Sequence, residues 1–166
     1  MTSSRSMVLV AALYAGLVAC TRAAQAPTHD TAADKLAIDA VRNREISAMN
    51  SGVTDSMVTV YADEIVLMPN HDAAVTGLAA VRAWYDTSFS HVTLTGRRTS
   101  SAAEVSGDLA VDHFTGELTV TFKAPGAKPM TEGMKGIHVY RRQADGSWKI
   151  TKVIWNGDQR LDAPAK

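Results

Sequence analysis

The 166-residue chain has few of the features that build several common kinds of site. A single cysteine excludes a disulfide scaffold and a thiolate metal centre. Seventeen basic and seventeen acidic residues leave no net charge, whereas a dedicated nucleic-acid binder shows a basic excess. A phosphate-binding P-loop, a GxGxxG fingerprint and a GxSxG nucleophile motif are also missing. We therefore expect no nucleic-acid partner and no cofactor. The composition, 46% hydrophobic and 20% charged, is typical of one globular domain.

The N-terminus has the layout of a bacterial export signal. Arg5 is followed by the thirteen uncharged, mostly apolar residues Met7–Ala19, a run that is too short for a comfortable membrane span. The run leads into Leu17-Val18-Ala19-Cys20, which resembles a lipobox, the motif whose cysteine is lipidated. This resemblance implies a signal peptide over residues 1–19 and an envelope lipoprotein with its acyl chains on Cys20.

The residues after Cys20 bear on where the anchored protein resides. Thr21, rather than an aspartate, follows the cysteine, which favours an outer-membrane anchor with the protein facing the periplasm. Small and polar residues then predict a flexible tether through residue 33. Ala24-Gln25-Ala26 offers an alternative cleavage site, and cleavage there produces a plain secreted protein.

Apolar spacing divides the rest of the chain into helices followed by strands. The period is helical up to residue 90, apart from one short strand, and changes to two after residue 91. Strands grouped after helices predict an α+β domain over residues 34–158, with helices on one face of a mostly antiparallel sheet and a tail at 159–166. The predicted order α-α-β-α-β-β-β-β corresponds to helices Asp34–Ser51, Thr54 or Asp55–Ala62 and Gly77–Ser90, and to strands Glu64–Pro69, His91–Val105, Asp108–Lys123, Thr131–Arg142 and Ser147–Asn156.

Five segments together resemble the SnoaL-like, ketosteroid-isomerase-like proteins of the nuclear-transport-factor-like superfamily. These segments are VYADEIVLMP at 60–69, the helix from Gly77 through Trp84-Tyr85, SGDLA at 106–110, VYRRQADGSW at 139–148 and IWN at 154–156. The resemblance implies a curved sheet that wraps the three N-terminal helices into a cone with an apolar pocket. It also implies one of several functions, because the superfamily holds isomerases, dehydratases, cyclases and non-catalytic modules.

The family's catalytic positions can be carried over one by one. The helix-one tyrosine of the ketosteroid isomerases falls on Glu45, and the donor aspartate of a later strand falls on His138. The catalytic base falls on Pro69 or Met68, neither of which can accept a proton, so steroid isomerisation in its usual form is not expected. Pocket positions of the family fall on Tyr85, His113 and Trp155.

Glu45 is the most informative residue of the first helix. It lies near the centre of the helical arc that carries Ile38, Val41 and Met49, which predicts that its carboxylate is buried. A buried carboxylate needs a partner or takes up a proton. Two interpretations remain open: a general acid or base, or a structural ion pair with Arg42, Arg44 or another base.

Two histidines are candidates for the same pocket. His138 lies on the third long strand, where an imidazole could pair with Glu45 as an acid/base couple or act as a half-buried structural residue. His113 is ambiguous, since the resemblance directs it inward while alternation with apolar Phe114, Leu118 and Val120 directs it outward. A bulge near Asp112 would reconcile the two.

The remaining expectations concern the pocket walls and partners. Tyr61, Met68, Tyr85, His113 and Trp155 are the predicted ligand-binding wall, although aromatic residues at these spacings also suit a plain core. No metal site is expected, because His71 with Asp72 supplies only two ligands. The basic pairs Arg97-Arg98 and Arg141-Arg142 are predicted to lie on a solvated sheet edge. The outward sheet face, with Val111 or Phe114, predicts a homodimer.

The expected function is therefore that of an envelope lipoprotein whose cone binds a small, largely apolar molecule. One alternative is a cofactor-free isomerase, dehydratase or cyclase that uses Glu45 and His138 as its acid/base pair. The other alternative is a dimerisation module with a filled cone, in which an arginine neutralises Glu45.

Overall fold

A computed structural model of the chain describes residues 30–158. The predicted signal peptide, Cys20, most of the predicted tether and the C-terminal tail lie outside the described residues. Within them are three helices and a six-stranded, mostly antiparallel curved sheet, so the predicted α+β cone is confirmed. No helix among residues 30–158 is long and apolar enough to cross a membrane.

The first helix begins earlier than its apolar pattern predicts. Helix α1 spans Thr31–Ser51, and the side chain of Asp30 caps it by accepting hydrogen bonds from the backbone N–H groups of Ala32 and Ala33. Residues 31–33 are therefore helical and not part of the tether, contrary to the prediction. The helix ends at Gly52, whose φ of 64° is the left-handed conformation that glycine adopts without strain.

The other two helices lie close to their predicted positions, and only α2 is short. Helix α2 covers Thr54–Val58 and has Val53 at its N-cap without a side-chain hydrogen bond, so the predicted cap at Thr54 or Asp55 was wrong. It also ends before Ala62, because Tyr61 and Ala62 already belong to the first strand. Helix α3 covers Leu78–His91.

The sheet has six strands in the order β2-β1-β6-β5-β4-β3. Strand β1 pairs in parallel with β6, and every other pairing is antiparallel. Strand β2 was not predicted, because two residues are too few to show a period. The strands are β1 Tyr61–Met68, β2 Val75–Thr76, β3 Val92–Ser106, β4 Leu109–Phe122, β5 Met130–Arg142 and β6 Trp148–Gly157.

The register of β4 determines which face each of its side chains takes. It pairs with β5 without interruption from Leu109 to Val120, so no bulge lies near Asp112. Ala110, Asp112 and Phe114 are consequently buried, and His113 between them is exposed. Simple alternation therefore decides the orientation of His113, and its assignment to the pocket wall was wrong.

The core lies between the helices and the inner face of the sheet. Ile38 and Val41 of α1, Val81 of α3 and Ile65 and Leu67 of β1 are essentially inaccessible to solvent. Trp148 of β6 belongs to the same cluster, as its apolar strand pattern predicts. Since the apolar faces of α1 and α3 pack on this core, both helices present side chains to the interior of the cone.

Candidate functional site

A cavity of about 80 Å³ opens between α1, α3 and the inner face of the sheet. One buried water needs roughly 10–15 Å³ on the same measure, so the space exceeds that of a single solvent molecule. Most of its wall is apolar and includes Met49, Met57, Leu94, Phe114, Leu118 and Met134. Its polar groups include Glu45, Arg98 and His138, which three different elements supply.

Glu45 is held by groups from two strands. Its Oε2 accepts a hydrogen bond from Nη2 of Arg98 at 3.0 Å, and its Oε1 lies 3.2 Å from Nε2 of His138. The side chains of Glu45 and His138 are 11% and 2% exposed, so water screens these interactions little. The predicted inward position of Glu45 is correct, and its arginine partner is Arg98.

Asp112 is not part of the cavity wall, but it lies close to both Arg98 and His138. Its Oδ2 accepts from Nη1 of Arg98 at 3.2 Å and lies 3.7 Å from Nδ1 of His138, beyond hydrogen-bond distance. Its Oδ1 accepts from Nη1 of Arg42 at 2.9 Å, and Arg42 also pairs with the half-exposed Asp39. Glu45, Arg98, Asp112 and His138 thus form a closed ring of alternating charge, which we call the charged ring.

The ring holds its members in their ionised forms. Burial alone would raise the pKa of Glu45, but the charge and hydrogen bond of His138, followed by the charge of Arg98, outweigh it and lower that pKa. Burial likewise opposes the lowered pKa of Asp112, which His138, Arg42 and Arg98 bring about. Burial disfavours the His138 cation, yet Glu45 and Asp112 together raise the pKa of His138. Both imidazole nitrogens face carboxylate oxygens, a geometry that suits a doubly protonated ring.

Two tyrosines extend the polar groups away from the charged ring. The hydroxyls of Tyr61 and Tyr85 lie 2.8 Å apart, and the Tyr61 hydroxyl donates to Oε1 of Glu45 at 3.5 Å. Burial, together with the neighbouring hydroxyl and Glu45, raises the pKa of Tyr61 well above its usual value. Burial also raises the pKa of Tyr85, so both side chains are neutral phenols at physiological pH.

Aromatic side chains form the wall on either side of these groups. Trp84 packs edge-on against Tyr85 and Trp155, with ring centres 5.0 and 6.3 Å away. Across the cavity, Phe114 stacks on the His138 imidazole with ring centres 4.7 Å apart, and the guanidinium of Arg98 lies over the Phe114 ring, 4.5 Å from its centre. The charged groups therefore lie between apolar surfaces that restrict their movement.

Comparison with known families decides the chain's classification. Residues 43–153, which include every member of the charged ring, match the model of the SnoaL-like domain. The chain belongs to the SnoaL-like domain family. A search of curated proteins found no match.

Solved structures share the fold of this SnoaL-like domain at low sequence identity. A nuclear transport factor 2-like superfamily protein from Salmonella enterica has a TM-score of 0.72 at 15% identity, over 82% of this chain and 99% of its own. A ketosteroid isomerase-like protein from Erwinia carotovora atroseptica has a TM-score of 0.66 at 22% identity, over 75% and 96% of the two chains. A candidate dehydratase of the same superfamily from Streptomyces avermitilis has a TM-score of 0.70 at 15% identity, over 78% and 99%. Identities this low establish the fold alone.

Most of the residues that the sequence predicts to form the site lie together at the cavity. Glu45, His138, Tyr61, Tyr85 and Trp155 all line the cavity. His113 and Met68 do not belong to the cavity wall. Met68 follows the fully buried Leu67 on β1, so strand alternation turns it away from the interior, and it is only half-buried.

Arg98 and Asp112 are the site residues that the sequence interpretation missed. Arg98 is predicted with Arg97 to lie on a solvated edge, but only the Arg97 side chain is mostly exposed, and it pairs with Glu117 at 2.7 Å. Strand alternation contained the signal, since Arg98 shares the parity of half-buried Leu94 and buried Gly96. Asp112 shares the parity of apolar Phe114 in the same way, which marks it as a charged residue on a buried face.

The two residues of the other basic pair also differ in exposure, since Arg141 is exposed and Arg142 is not. Arg142 is mostly buried, lies over the Trp148 ring and pairs with Asp34 at 2.6 Å and Asp108 at 3.1 Å, so it fastens β5 to α1. Asp72, considered with His71 as a metal ligand, instead accepts a hydrogen bond from the Trp84 indole at 3.0 Å. Among the described residues, no group of three or more histidine, cysteine, aspartate or glutamate side chains could hold a metal ion.

Proposed function

We propose that the SnoaL-like domain binds a small, largely apolar molecule in its cavity. The observation that supports this function is a mostly apolar cavity whose wall includes the mutually paired side chains of Glu45, Arg98 and His138. Ligand sites commonly combine an apolar lining with a few convergent polar groups that orient the ligand. The aromatic wall of Trp84, Tyr85 and Trp155 supplies flat surfaces for such a molecule.

The hydrogen bonds of Glu45 favour binding over proton abstraction. Its Oε1 is occupied by His138 and Tyr61, and its Oε2 is occupied by Arg98. These donors stabilise the carboxylate and lower its pKa, which makes Glu45 a weaker base than a carboxylate whose burial is uncompensated. The Glu45 carboxylate therefore resembles part of a rigid polar surface more than a proton acceptor that is free to react with a substrate.

Native mass spectrometry of the gently purified protein tests binding. We expect an added mass of one ligand per chain that disappears on denaturation. His138→Gln disrupts the charged ring and should release that mass, whereas His113→Gln, the same change at an exposed position, should retain it. An unliganded protein that also fails to take up small apolar compounds would contradict the proposal.

A second candidate function is a cofactor-free isomerase, dehydratase or cyclase. The observation that favours it is the 3.2 Å approach of His138 Nε2 to Glu45 Oε1, with both residues on the cavity wall. Glu45 would then accept a substrate proton and His138 would stabilise the developing oxyanion. Glu45→Gln should abolish turnover of a cavity ligand under conditions in which circular dichroism shows the variant to be folded, and full activity in that variant would exclude this candidate.

The dimerisation module with a filled cone receives less support. It requires an arginine that neutralises Glu45, and Arg98 has that position. It also requires the interior to be filled, which the cavity of about 80 Å³ opposes.

We propose that this binding function is carried out in the cell envelope. We propose that Cys20 carries the lipid anchor, most suitably in an outer membrane with the domain facing the periplasm. The support is the lipobox-like LVAC sequence at 17–20 with its preceding basic and apolar segments. Metabolic labelling with radioactive palmitate should mark the protein and should fail for Cys20→Ser. A soluble, unlabelled native chain whose N-terminus follows Ala26 would contradict the anchor.

A further inference from the structure

The two tyrosine hydroxyls of the cavity wall form a short hydrogen-bonded chain with a direction. Each hydroxyl has one hydrogen to donate and can also accept. Tyr61 lies between Glu45 and Tyr85, at 3.5 Å from Oε1 of the carboxylate and 2.8 Å from the second hydroxyl. The orientation of the Tyr61 hydrogen therefore decides what Tyr85 presents to the cavity.

The carboxylate decides that orientation. Ionised Glu45 can only accept, and hydrogen bonds to ionised acceptors are stronger than those between neutral groups. Arg98 and His138 hold Glu45 in its ionised form. Tyr61 therefore donates to Glu45, and Tyr85 donates to Tyr61. The Tyr85 oxygen is left with acceptor capacity, and its only hydrogen-bond partner among the described residues is Tyr61.

The cavity wall carries charges of both signs, since the carboxylate of Glu45 accompanies the cations of Arg98 and His138 there. Net charge alone therefore does not select the ligand, and the hydrogen-bonding capacity of Tyr85 is the more specific feature. A hydroxyl group can donate a hydrogen bond to the Tyr85 oxygen, whereas an ether or ketone oxygen can only accept.

We propose that the cavity selects alcohols or phenols, with the ligand O–H donating to the hydroxyl oxygen of Tyr85. This inference rests on the proposed binding function and specifies its ligand class. The direction of the hydrogen-bonded chain is the reason for the selectivity, because an acceptor-only ligand would meet the Tyr85 oxygen without a hydrogen between them.

A pair of isomeric probes separates donation from size and apolar character. The compounds 4-methylphenol and methoxybenzene have the same atoms, but only the phenol has an O–H. Isothermal titration calorimetry on the intact protein should give about tenfold tighter binding of 4-methylphenol, as one additional hydrogen bond implies. Cyclohexanol and cyclohexanone provide the same contrast without an aromatic ring.

Variants then assign the preference to Tyr85. Tyr85→Phe should abolish the preference by weakening binding of 4-methylphenol alone. Tyr140→Phe is the matched control, since the Tyr140 hydroxyl is buried outside the cavity wall and has no hydrogen-bond partner among the described residues. Near-ultraviolet circular dichroism of both variants establishes that they are folded.

The possible results separate the two proposals. If methoxybenzene binds as tightly as 4-methylphenol, or if Tyr85→Phe keeps the preference, the hydroxyl-selective inference is overturned while the binding function stands. If neither the isomers nor the cyclohexyl pair binds, both the inference and the proposed binding of small apolar molecules fail.

Discussion

Glu45 on α1 and Arg98 on β3 form a 3.0 Å ion pair across 53 residues of sequence. This pair fastens the central part of the first helix to the inner face of the sheet, within reach of the cavity. A carboxylate that is buried against apolar residues would otherwise take up a proton or destabilise the fold. The ion pair is therefore part of the reason that a charged residue can occupy the interior of this cone.

Asp112→Asn should destabilise the protein strongly. Asp112 is fully buried and compensates Arg42, Arg98 and the His138 cation, so its neutralisation leaves buried positive charge unpaired. Breaking a buried ion pair from one side costs roughly 3–5 kcal/mol. Urea unfolding would measure the loss. Glu117→Gln, which breaks the exposed pair with Arg97, is the control and should cost at most about 1 kcal/mol. Equal losses in the two variants would show that the charged ring does not contribute in this way.

The charged ring should also produce a stability maximum at mildly acidic pH. The pKa of His138 is higher in the folded protein than in the unfolded chain. The stabilisation from its cation is therefore complete below the unfolded-state pKa of about 6.5, and it is lost as pH rises through the folded-state pKa. The pKa values of Glu45 and Asp112 are lower in the folded protein than in the unfolded chain. The stabilisation from these two carboxylates is therefore complete above about pH 4.3, and it is lost as pH falls through their folded-state pKa values. Urea midpoints should therefore be highest between about pH 4.3 and 6.5.

Substitution of single histidines tests which residue causes the loss of stability at higher pH. His138→Gln should remove the decline in stability above about pH 6.5 that the raised pKa predicts. His113→Gln changes an exposed histidine on the neighbouring strand and should leave the decline unchanged. A decline that persists in His138→Gln and disappears in His113→Gln would contradict the assignment.

Substitution by alanine should lower the stability of the protein more at Gly136 than at Gly96, two glycines of the sheet. A methyl group on Gly136 would meet the backbone carbonyl of Ile154 and the ring of Phe114, neither of which can move freely. On Gly96 it would meet the flexible end of the Met49 side chain, which can turn aside. Gly136→Ala should therefore cost about 1–3 kcal/mol by overpacking, and Gly96→Ala should cost less. Thermal unfolding of the two variants tests the order, and the reverse order would refute it.

The outer face of the sheet should pair with a second copy of the chain. Val111, Ile137 and Ile154 are 39–45% exposed there, and Ile137 and Ile154 are direct cross-strand neighbours. Association of this patch with itself would remove apolar surface from water. Ile137→Lys should convert a dimer into a monomer in sedimentation velocity. Leu36→Lys, at an exposed apolar position on α1, is the control and should leave the dimer intact. A native chain that is monomeric at all tested concentrations would exclude the dimer.

Local patterns in the sequence predicted most elements of the fold. Helix α3 and strands β3 to β6 lie within one or two residues of their predicted bounds, because periods of 3.6 and two are properties of short segments. The start of α1 was missed, since the Asp30 cap precedes the apolar pattern. Strand β2 was missed because it exists through its pairing with β1 and has no pattern of its own.

The sequence by itself also determined which way Glu45 points, since the arc of one helix decides it. It left open whether alternation or family resemblance applied to His113, and the uninterrupted register of β4 with β5 settled that choice. Only the tertiary structure decided that Arg98 and Asp112 complete the site. The four members of the charged ring come from α1, β3, β4 and β5, and strand register and helix docking bring them together. Distances between such residues depend on long-range pairing, which no local period in the sequence encodes.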